Sequence, residues 1–129
     1  MFVDVWEWRM EIDESLVVAD ETEIREQVAE YTVGERKEFD LDVDYPDSFT
    51  GRVMTAMAGV PRGETRTYGE IAGELDTAAV AVGQACGRNP VPLVVPCHRI
   101  VGANGLGGFS GGDDDRLGLK ERLLELESA

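Results

Sequence analysis

Residues 91–101 read VPLVVPCHRIV, and the stretch Pro96-Cys97-His98-Arg99-Ile100 within them is the most informative part of the chain. It places the only histidine directly beside one of the two cysteines. A cysteine becomes a nucleophile when its proton is removed and the thiolate is stabilised, and histidine is the side chain best suited to this near neutral pH. The apolar residues before the pair predict a buried strand, and the glycine-rich residues 102–112 predict a loop. Together these features indicate a reactive Cys97 thiol that faces a pocket.

Ordinary packing is the competing interpretation of the same pair. A lone cysteine is usually a small buried hydrophobe, and a lone histidine is more often packed or exposed than catalytic. Cys86 lies in a segment rich in small residues, and its thiol is predicted to be protonated and inert. The residues around Cys97 must therefore decide whether it differs from Cys86.

Length and composition indicate one domain. With 129 residues, of which 43% are hydrophobic, the chain can form a core. No segment approaches the roughly 20 apolar residues of a membrane span, so no membrane association is expected. The first residues lack a basic region followed by an apolar one, so no signal peptide is predicted. Two cysteines without an export signal should stay reduced, and we expect a cytoplasmic protein.

Charge is unevenly distributed along the chain. Residues 1–47 contain 16 Asp and Glu against 4 Arg and Lys, whereas residues 48–129 contain 10 against 8. No acidic residue occurs from Thr77 to Gly112, so a polyanion such as DNA would meet no repulsion there, although burial of an apolar segment would also account for the gap. Excess acid with only two lysines resembles the surface of proteins from a high-salt cytoplasm.

The hydrophobic pattern predicts an α/β protein, with a short mixed N-terminal segment over residues 1–47 and a mainly helical domain over residues 48–129. The boundary is placed at Tyr45-Pro46-Asp47-Ser48, a natural break. The N-terminal segment is predicted to contain strands over residues 2–12, 17–19 and 40–44 and a helix over 22–31.

Four helices are predicted in the second part, over residues 48–58, 68–75, 78–86 and 116–127. Thr67 to Glu70 has the order of a capping box at the start of the second of these. The second and third helices, with their short connection, suit a helix-turn-helix whose slim third helix enters a DNA groove. Many small-residue helices are only tightly packed, so this pattern is weak by itself.

Several ordered motifs resemble the O6-alkylguanine-DNA alkyltransferases over about residues 48–127. They are Gly63-Glu64-Thr65-Arg66-Thr67-Tyr68, Asn89-Pro90 with residues 91–101, Gly108-Phe109-Ser110-Gly111-Gly112, and residues 119–127. The resemblance implies direct reversal of O6-alkylguanine damage in double-stranded DNA, by stoichiometric and self-inactivating transfer of the alkyl group to Cys97. It implies no cofactor. We expect the protein to be a monomer.

The same resemblance implies roles for individual residues. Cys97 attacks the alkyl carbon, His98 takes the thiol proton through a bridging water, Glu127 holds His98, and Asn89 braces the turn beside the site. Because neighbouring side chains of a strand point to opposite faces, Cys97 and His98 should not bond directly, which favours the relay.

Eight residues are expected on the substrate and DNA side: Tyr68, Val80, Arg88, Val95, Arg99, Val101, Phe109 and Ser110. Tyr68 should contact the target nucleotide, which must leave the duplex to reach a buried thiol. Val95, Val101 and the backbone around Ser110 should line the guanine pocket. Arg99 is expected to support the site through a salt bridge rather than to contact DNA.

The chain departs from the family pattern at several positions. Val80 stands where an arginine usually fills the gap left by the flipped base, and Arg88 is near enough to fill it instead. Phe109 stands where a tyrosine is common, and Gly108 where an asparagine is often found. The usual N-terminal domain is shortened to about 45 residues. These departures concern DNA affinity and repair rate, not the identity of the nucleophile.

Two other functions compete with alkyl transfer. The first is a damage-sensing, DNA-binding relative without efficient transfer; Cys97 favours the enzyme, because the non-transferring branch lacks this cysteine, whereas Val80 favours the relative. The second is a thiol-dependent hydrolase, but no Asp or Asn follows His98 in a triad-like pattern. A metal site is not expected, because Cys97 and His98 have no further Cys or His at ligand spacing.

Overall fold

The computed structural model describes residues 1–105 and 114–128 and confirms a mixed α/β fold. The elements in chain order are strands β1 (Phe2–Val5) and β2 (Trp8–Glu11), helices α1 (Glu21–Thr32) and α2 (Phe49–Ala58), strand β3 (Arg66–Thr67), helices α3 (Tyr68–Leu75) and α4 (Ala79–Gly87), strand β4 (Ile100–Val101) and helix α5 (Asp114–Ser128). Short 3-10 helices cover Glu14–Leu16 and Cys97–Arg99. Within the described ranges, no helix is long and apolar enough to cross a membrane.

The N-terminal residues form a hairpin, so the prediction of one strand over residues 2–12 is wrong. β1 and β2 pair antiparallel, with Val5 opposite Trp8, and only Trp6 and Glu7 form the turn. Trp6 has a φ of +55°, a backbone conformation that residues other than glycine and asparagine rarely adopt. Its indole N–H donates to the Thr32 carbonyl oxygen at 3.2 Å. The turn escaped prediction because it lacks the usual Gly or Asn.

The predicted strands over residues 17–19 and 40–44 are reduced to one bridge between Val17 and Val43. The chain before Val17 turns as a 3-10 helix capped by Asp13, so too few residues remain extended for a strand. Helix α1 confirms the predicted helix and begins after Asp20, whose carboxylate accepts from the backbone N–H of Glu23.

One apolar core crosses the predicted boundary at residues 45–48. Val3 and Ile24 from the N-terminal segment belong to the same buried cluster as Val53 and Leu123. The boundary residues themselves lie against α2, where a Cβ on Gly51 would collide with the carbonyl oxygen of Pro46. Whether residues 1–47 form a separate domain stays a prediction, but they pack as part of one structure.

The predicted helix-turn-helix is present as α3 and α4. Thr67 and Glu70 form the predicted capping box, with both hydrogen bonds at 3.0 Å. Asp76 ends α3 in the left-handed conformation, and Ala78 precedes the first turn of α4. β3 pairs in parallel with β4, which brings the start of α3 beside the chain that follows the Cys-His pair.

Residues 91–95 do not form the predicted strand. Leu93, after Pro92, has a φ of +74°, and the N–H of Val95 donates to the Val91 carbonyl oxygen at 2.9 Å, which closes a turn. Prolines at positions 92 and 96 cannot donate the hydrogen bonds that a central strand needs, so the apolar run folds back on itself. The segment is buried as predicted, but as a compact turn.

Candidate active site

Cys97 begins a single turn of 3-10 helix directly after Pro96 and is only 3% exposed. The expectation that it ends a strand is therefore wrong, and strand alternation cannot be the reason for a water relay to His98. The turn places His98 in the interior as well, with no exposed surface. Both residues are therefore buried, and in the chain they lie between the turn at residues 91–95 and β4.

His98 contacts Glu127 from the last turn of α5. Its Nε2 atom lies 2.8 Å from Oε2 of Glu127, and both side chains are buried. This is the partner that the family resemblance implied. An ionised carboxylate only accepts hydrogen bonds, so Nε2 carries the proton and Nδ1 is left as an acceptor. Among the described residues, Nδ1 is a buried atom without a hydrogen-bond partner.

Glu127 is held by three residues at once. Arg99 donates to Oε1 from Nε at 2.9 Å and to Oε2 from Nη2 at 2.8 Å, and the Tyr31 hydroxyl donates to Oε2 at 2.6 Å. Burial by itself would raise the pKa of Glu127, but the hydrogen bonds from Arg99, His98 and Tyr31 outweigh it and hold that pKa well below its usual range. The carboxylate is ionised at neutral pH.

His98 is neutral in this environment. Burial lowers its pKa, and this effect exceeds the opposite one of the Glu127 carboxylate, while the charges of Arg99 and Lys120 act in the same direction as burial. A neutral imidazole with a free lone pair can accept a proton, and the carboxylate behind it then stabilises the imidazolium that forms.

Arg99 supports the site as expected. Besides its two bonds to Glu127, its Nη1 atom donates to the Val60 carbonyl oxygen at 2.8 Å, and its side chain is largely covered. The guanidinium is thus directed at Glu127 and the backbone, which is the geometry of a salt bridge within the site.

Asn89 braces the turn that precedes Cys97. Its Nδ2 donates to the Val95 carbonyl oxygen at 2.9 Å, and its Oδ1 accepts from the Val91 N–H at 3.0 Å. One buried amide therefore satisfies two buried backbone groups on opposite sides of the turn. This position agrees with the bracing role that the resemblance implied.

Lys120 is a buried residue to which the sequence assigned no role. Its Nζ atom donates to the Ile100 carbonyl oxygen at 2.6 Å and to the Tyr68 hydroxyl at 3.4 Å. Burial lowers its pKa to about 8, against the opposite effect of the nearby Cys97 and Cys86 thiols. The signal was a lysine on the buried face of α5, three positions before Leu123 and seven before Glu127.

The surroundings of Cys86 are consistent with the prediction that its thiol is inert. It is buried in α4, and its Sγ atom lies 3.5 Å from the Met57 sulfur. Burial raises its pKa to about 12, and the proximity of Cys97 acts in the same direction. A thiol with that pKa is protonated at neutral pH.

The residues predicted on the substrate and DNA side are divided between the helix-turn-helix and the interior. Tyr68 is the first residue of α3, Val80 is 72% exposed in the first turn of α4, and Arg88 follows α4 at the surface. Val95 is fully buried in the core and Val101 is partly buried in β4. Phe109 and Ser110 lie outside the described residues, as does Gly108.

Over residues 1–105 and 114–128, no three His, Cys, Asp or Glu side chains are arranged to hold a metal ion. Cys97 and His98 are instead surrounded by the charged and polar groups described above.

Residues 48–129 match the family model described as "6-O-methylguanine DNA methyltransferase, DNA binding domain". The chain is 49% identical over 106 residues to the methylated-DNA--protein-cysteine methyltransferase of Mycolicibacterium paratuberculosis, covering 79% of this chain and 62% of that one. It is 42% identical over 127 residues to the protein of the same name from Methanosarcina acetivorans, covering 94% and 79%. This chain thus spans less than two thirds of the first of these relatives.

The fold is also similar to those of solved structures. Mycobacterium tuberculosis OGT in complex with DNA superimposes with a TM-score of 0.74 at 44% identity, covering 83% of this chain and 66% of that one. Atl1 from S. pombe, in complex with damaged DNA containing O6-carboxymethylguanine, gives a TM-score of 0.52 at 32% identity, covering 64% and 77%.

Proposed function

The chain belongs to the 6-O-methylguanine DNA methyltransferase family, and on that premise we propose that it repairs O6-alkylguanine in double-stranded DNA by accepting the alkyl group on Cys97. The observation that carries this proposal is the buried contact of 2.8 Å between His98, which follows Cys97 in the same 3-10 turn, and Glu127 of α5. The arrangement provides a nucleophile, a neutral base and a carboxylate that stabilises the protonated base.

In the proposed step, a bond forms between the Cys97 sulfur and the alkyl carbon while the bond from that carbon to guanine O6 breaks. The electron pair of the broken bond stays on the guanine, which takes up a proton and leaves as the normal base. The cysteine becomes a thioether that does not regenerate simply. Each protein molecule therefore acts once and needs no cofactor.

His98 is the group that removes the thiol proton. Its Nδ1 atom is the acceptor, because Nε2 donates to Glu127. The proton passes from Cys97 to Nδ1 through a water molecule, and the Glu127 carboxylate balances the charge of the imidazolium. The low pKa of His98 keeps it in the neutral form that accepts a proton at physiological pH.

Lys120 is proposed to stabilise the Cys97 thiolate by its charge. The ammonium is fixed by the Ile100 carbonyl oxygen and lies close enough to Cys97 for the two groups to influence each other's ionisation. A fixed positive charge in a buried site favours the anion more strongly than one in water. Its contact with the Tyr68 hydroxyl connects it to a residue that is expected on the DNA side.

The helix-turn-helix is the proposed DNA-binding surface. Tyr68 begins α3 next to the site, and Val80, exposed in the first turn of α4, is proposed to enter the space that a flipped base leaves. An apolar wedge of this kind separates bases but cannot hydrogen-bond to the orphaned partner. The two similar proteins that were solved in complex with DNA support DNA as the partner. We also propose that the protein acts as a cytoplasmic monomer, which its two free thiols fit.

The proposal is tested by incubating the protein with a duplex that contains one O6-methylguanine and digesting the DNA to nucleosides. We expect one guanine restored per protein molecule, with no further repair when DNA is in excess. The alternative, a damage-sensing relative, predicts binding of the damaged duplex without restored guanine. Cys97→Ser is the control, because it should bind the duplex and restore none.

A further inference from the structure

Tyr31 lies in the N-terminal segment, outside the residues that the family model matches, and yet it reaches the reactive site. The buried face of α1 consists of Ile24, Gln27, Val28 and Tyr31, so the helix period directs the tyrosine inward. Only 1% of Tyr31 is exposed. Its hydroxyl donates at 2.6 Å to Oε2 of Glu127, which is the same oxygen that faces His98 Nε2.

The ring of Tyr31 is fixed from two sides. It packs on Phe39 with ring centroids 5.1 Å apart, and the Arg62 guanidinium lies 5.7 Å from its centroid. Arg62 also donates to the carbonyl oxygens of Lys37 and Leu126, each at 3.1 Å. It thereby joins the N-terminal segment to the end of α5, next to Glu127. The packing of the ring therefore holds the hydroxyl in position against Glu127.

Two donors therefore share Oε2 of Glu127 with His98: the Tyr31 hydroxyl and Arg99 Nη2. Each donor draws negative charge from the oxygen. An oxygen with less charge is a weaker acceptor for His98 and stabilises the imidazolium less. The pKa of Tyr31 is raised by burial and then by the Glu127 charge, so its hydroxyl keeps its proton and remains a donor throughout the working pH range.

We propose that Tyr31 is a positioning residue of the site. Through it, the N-terminal segment fixes the Glu127 carboxylate and reduces the stabilisation that this carboxylate gives to protonated His98. This inference rests on the proposed function for its meaning in alkyl transfer, but the coupling itself is a property of the free protein. Among the described residues, the charged and titratable groups around His98, Glu127 and Tyr31 are Arg62 from the loop after α2, Cys97 and Arg99 beside His98, and Lys120 from α5.

The test uses the fact that His98 is the only histidine of the chain. Its ring nitrogen signals can be followed by NMR through a pH titration of untagged, isotope-labelled protein. Tyr31→Phe keeps the ring and its packing and removes only the hydroxyl. We expect the pKa of His98 to be higher in this variant, by roughly half a pH unit. The acid limb of the transfer rate should move to higher pH by the same amount.

Tyr45→Phe is the matched control, because Tyr45 is partly exposed and outside the Glu127 network. It should leave the His98 titration unchanged. In a Glu127→Gln background, Tyr31→Phe should also have no effect on the pKa of His98, because the influence passes through the carboxylate. This background provides a second comparison that does not depend on the single variant.

A His98 pKa that is unchanged or lower in Tyr31→Phe would overturn the inference, even if the variant melted at a lower temperature, because that result would mean that Tyr31 serves packing alone. If the unaltered protein failed to transfer an alkyl group to Cys97, the proposed function would fall instead. The titration would still decide the coupling between Tyr31 and His98, so the two failures are distinguishable.

Discussion

His98 and Glu127 stand 29 positions apart in the chain, and the fold brings Nε2 of one to 2.8 Å from Oε2 of the other in the buried interior. The pair depends on α5 packing back over the 3-10 turn at Cys97. Since Arg99 donates two hydrogen bonds to the same carboxylate, three contacts around the Glu127 side chain join the turn to the helix. This relationship should make the proposed transfer chemistry sensitive to changes in either residue.

Removing the base or its carboxylate should slow alkyl transfer while DNA binding remains. We expect His98→Ala to lose about 10²–10⁴-fold in transfer rate, the usual worth of general-base assistance, and Glu127→Gln to lose somewhat less. The measurement is single-turnover transfer from labelled duplex, with binding followed separately. Glu125→Gln on the exposed side of α5 is the control. Wild-type rates in both site variants would mean that another group activates Cys97.

Asn89 should be a stability determinant. Asn89→Ala leaves the Val95 carbonyl oxygen and the Val91 N–H buried without their partner, at a cost of about 1–3 kcal/mol for each group. We therefore expect a fall of about 2–6 kcal/mol in the free energy of unfolding, measured by denaturant titration. Asn104→Ala, at an exposed position, should change it by less than about 0.5 kcal/mol. Equal effects of the two substitutions would show that Asn89 does not brace the turn.

Lys120→Met should affect both rate and stability. Without the ammonium, the Cys97 thiolate loses a fixed charge, and transfer should slow by roughly ten- to a hundredfold. The pKa of Lys120 falls from 10.5 to about 8 on folding, so the unfolded chain binds more protons between these values. Its contribution to the free energy of unfolding therefore rises with pH from about 8 to about 10.5.

Other groups titrate in the same pH range. The rise is therefore measured as the difference in free energy of unfolding between the wild type and Lys120→Met at each pH. Lys37→Met is the control, since Lys37 is the other lysine and is exposed. It should leave both the transfer rate and the pH dependence as they are. A stability difference that stayed flat across this pH range would show that Lys120 keeps its ordinary pKa in the folded protein.

Val80→Arg should raise transfer on duplex DNA and leave reaction with free O6-benzylguanine almost unchanged. Base extrusion costs a few kcal/mol, and an arginine can hydrogen-bond to the orphaned base where a valine cannot. Val33→Arg adds the same charge at an exposed position outside the helix-turn-helix and controls for general attraction to phosphate. An equal gain in both variants that vanished at high salt would indicate general attraction to phosphate. No gain in Val80→Arg would mean that Val80 does not occupy the base-flipping position.

Local signals predicted the helices well. Ser48 caps α2 at the start of the predicted helix, and Thr67 caps α3 as expected, because a capping side chain acts on an N–H only three residues away. The apolar run 91–95 was misjudged, since hydrophobicity indicates burial but not conformation, and its two prolines favour a turn. The hairpin turn at Trp6 is held by contacts with distant residues that no local pattern reports.

The candidate site was predictable only in part. Cys97 and His98 are adjacent in sequence, whereas the pairing of Glu127 with His98 came from the family resemblance and not from the residues. Tyr31 and Lys120 were missed because their partners lie 96 and 20 positions away. Only the fold determines which polar group on a buried helix face meets which partner.

The central claim is that Cys97 keeps the alkyl group, and peptide mass spectrometry after incubation with O6-methylguanine duplex tests it most directly. We predict a gain of one methylene mass on the peptide that contains Cys97, in the wild type and in Cys86→Ser, and none in Cys97→Ser. Cys86, buried against Met57 with a raised pKa, should remain unmodified. A methyl group found on Cys86, or transfer that persists in Cys97→Ser, would contradict the account.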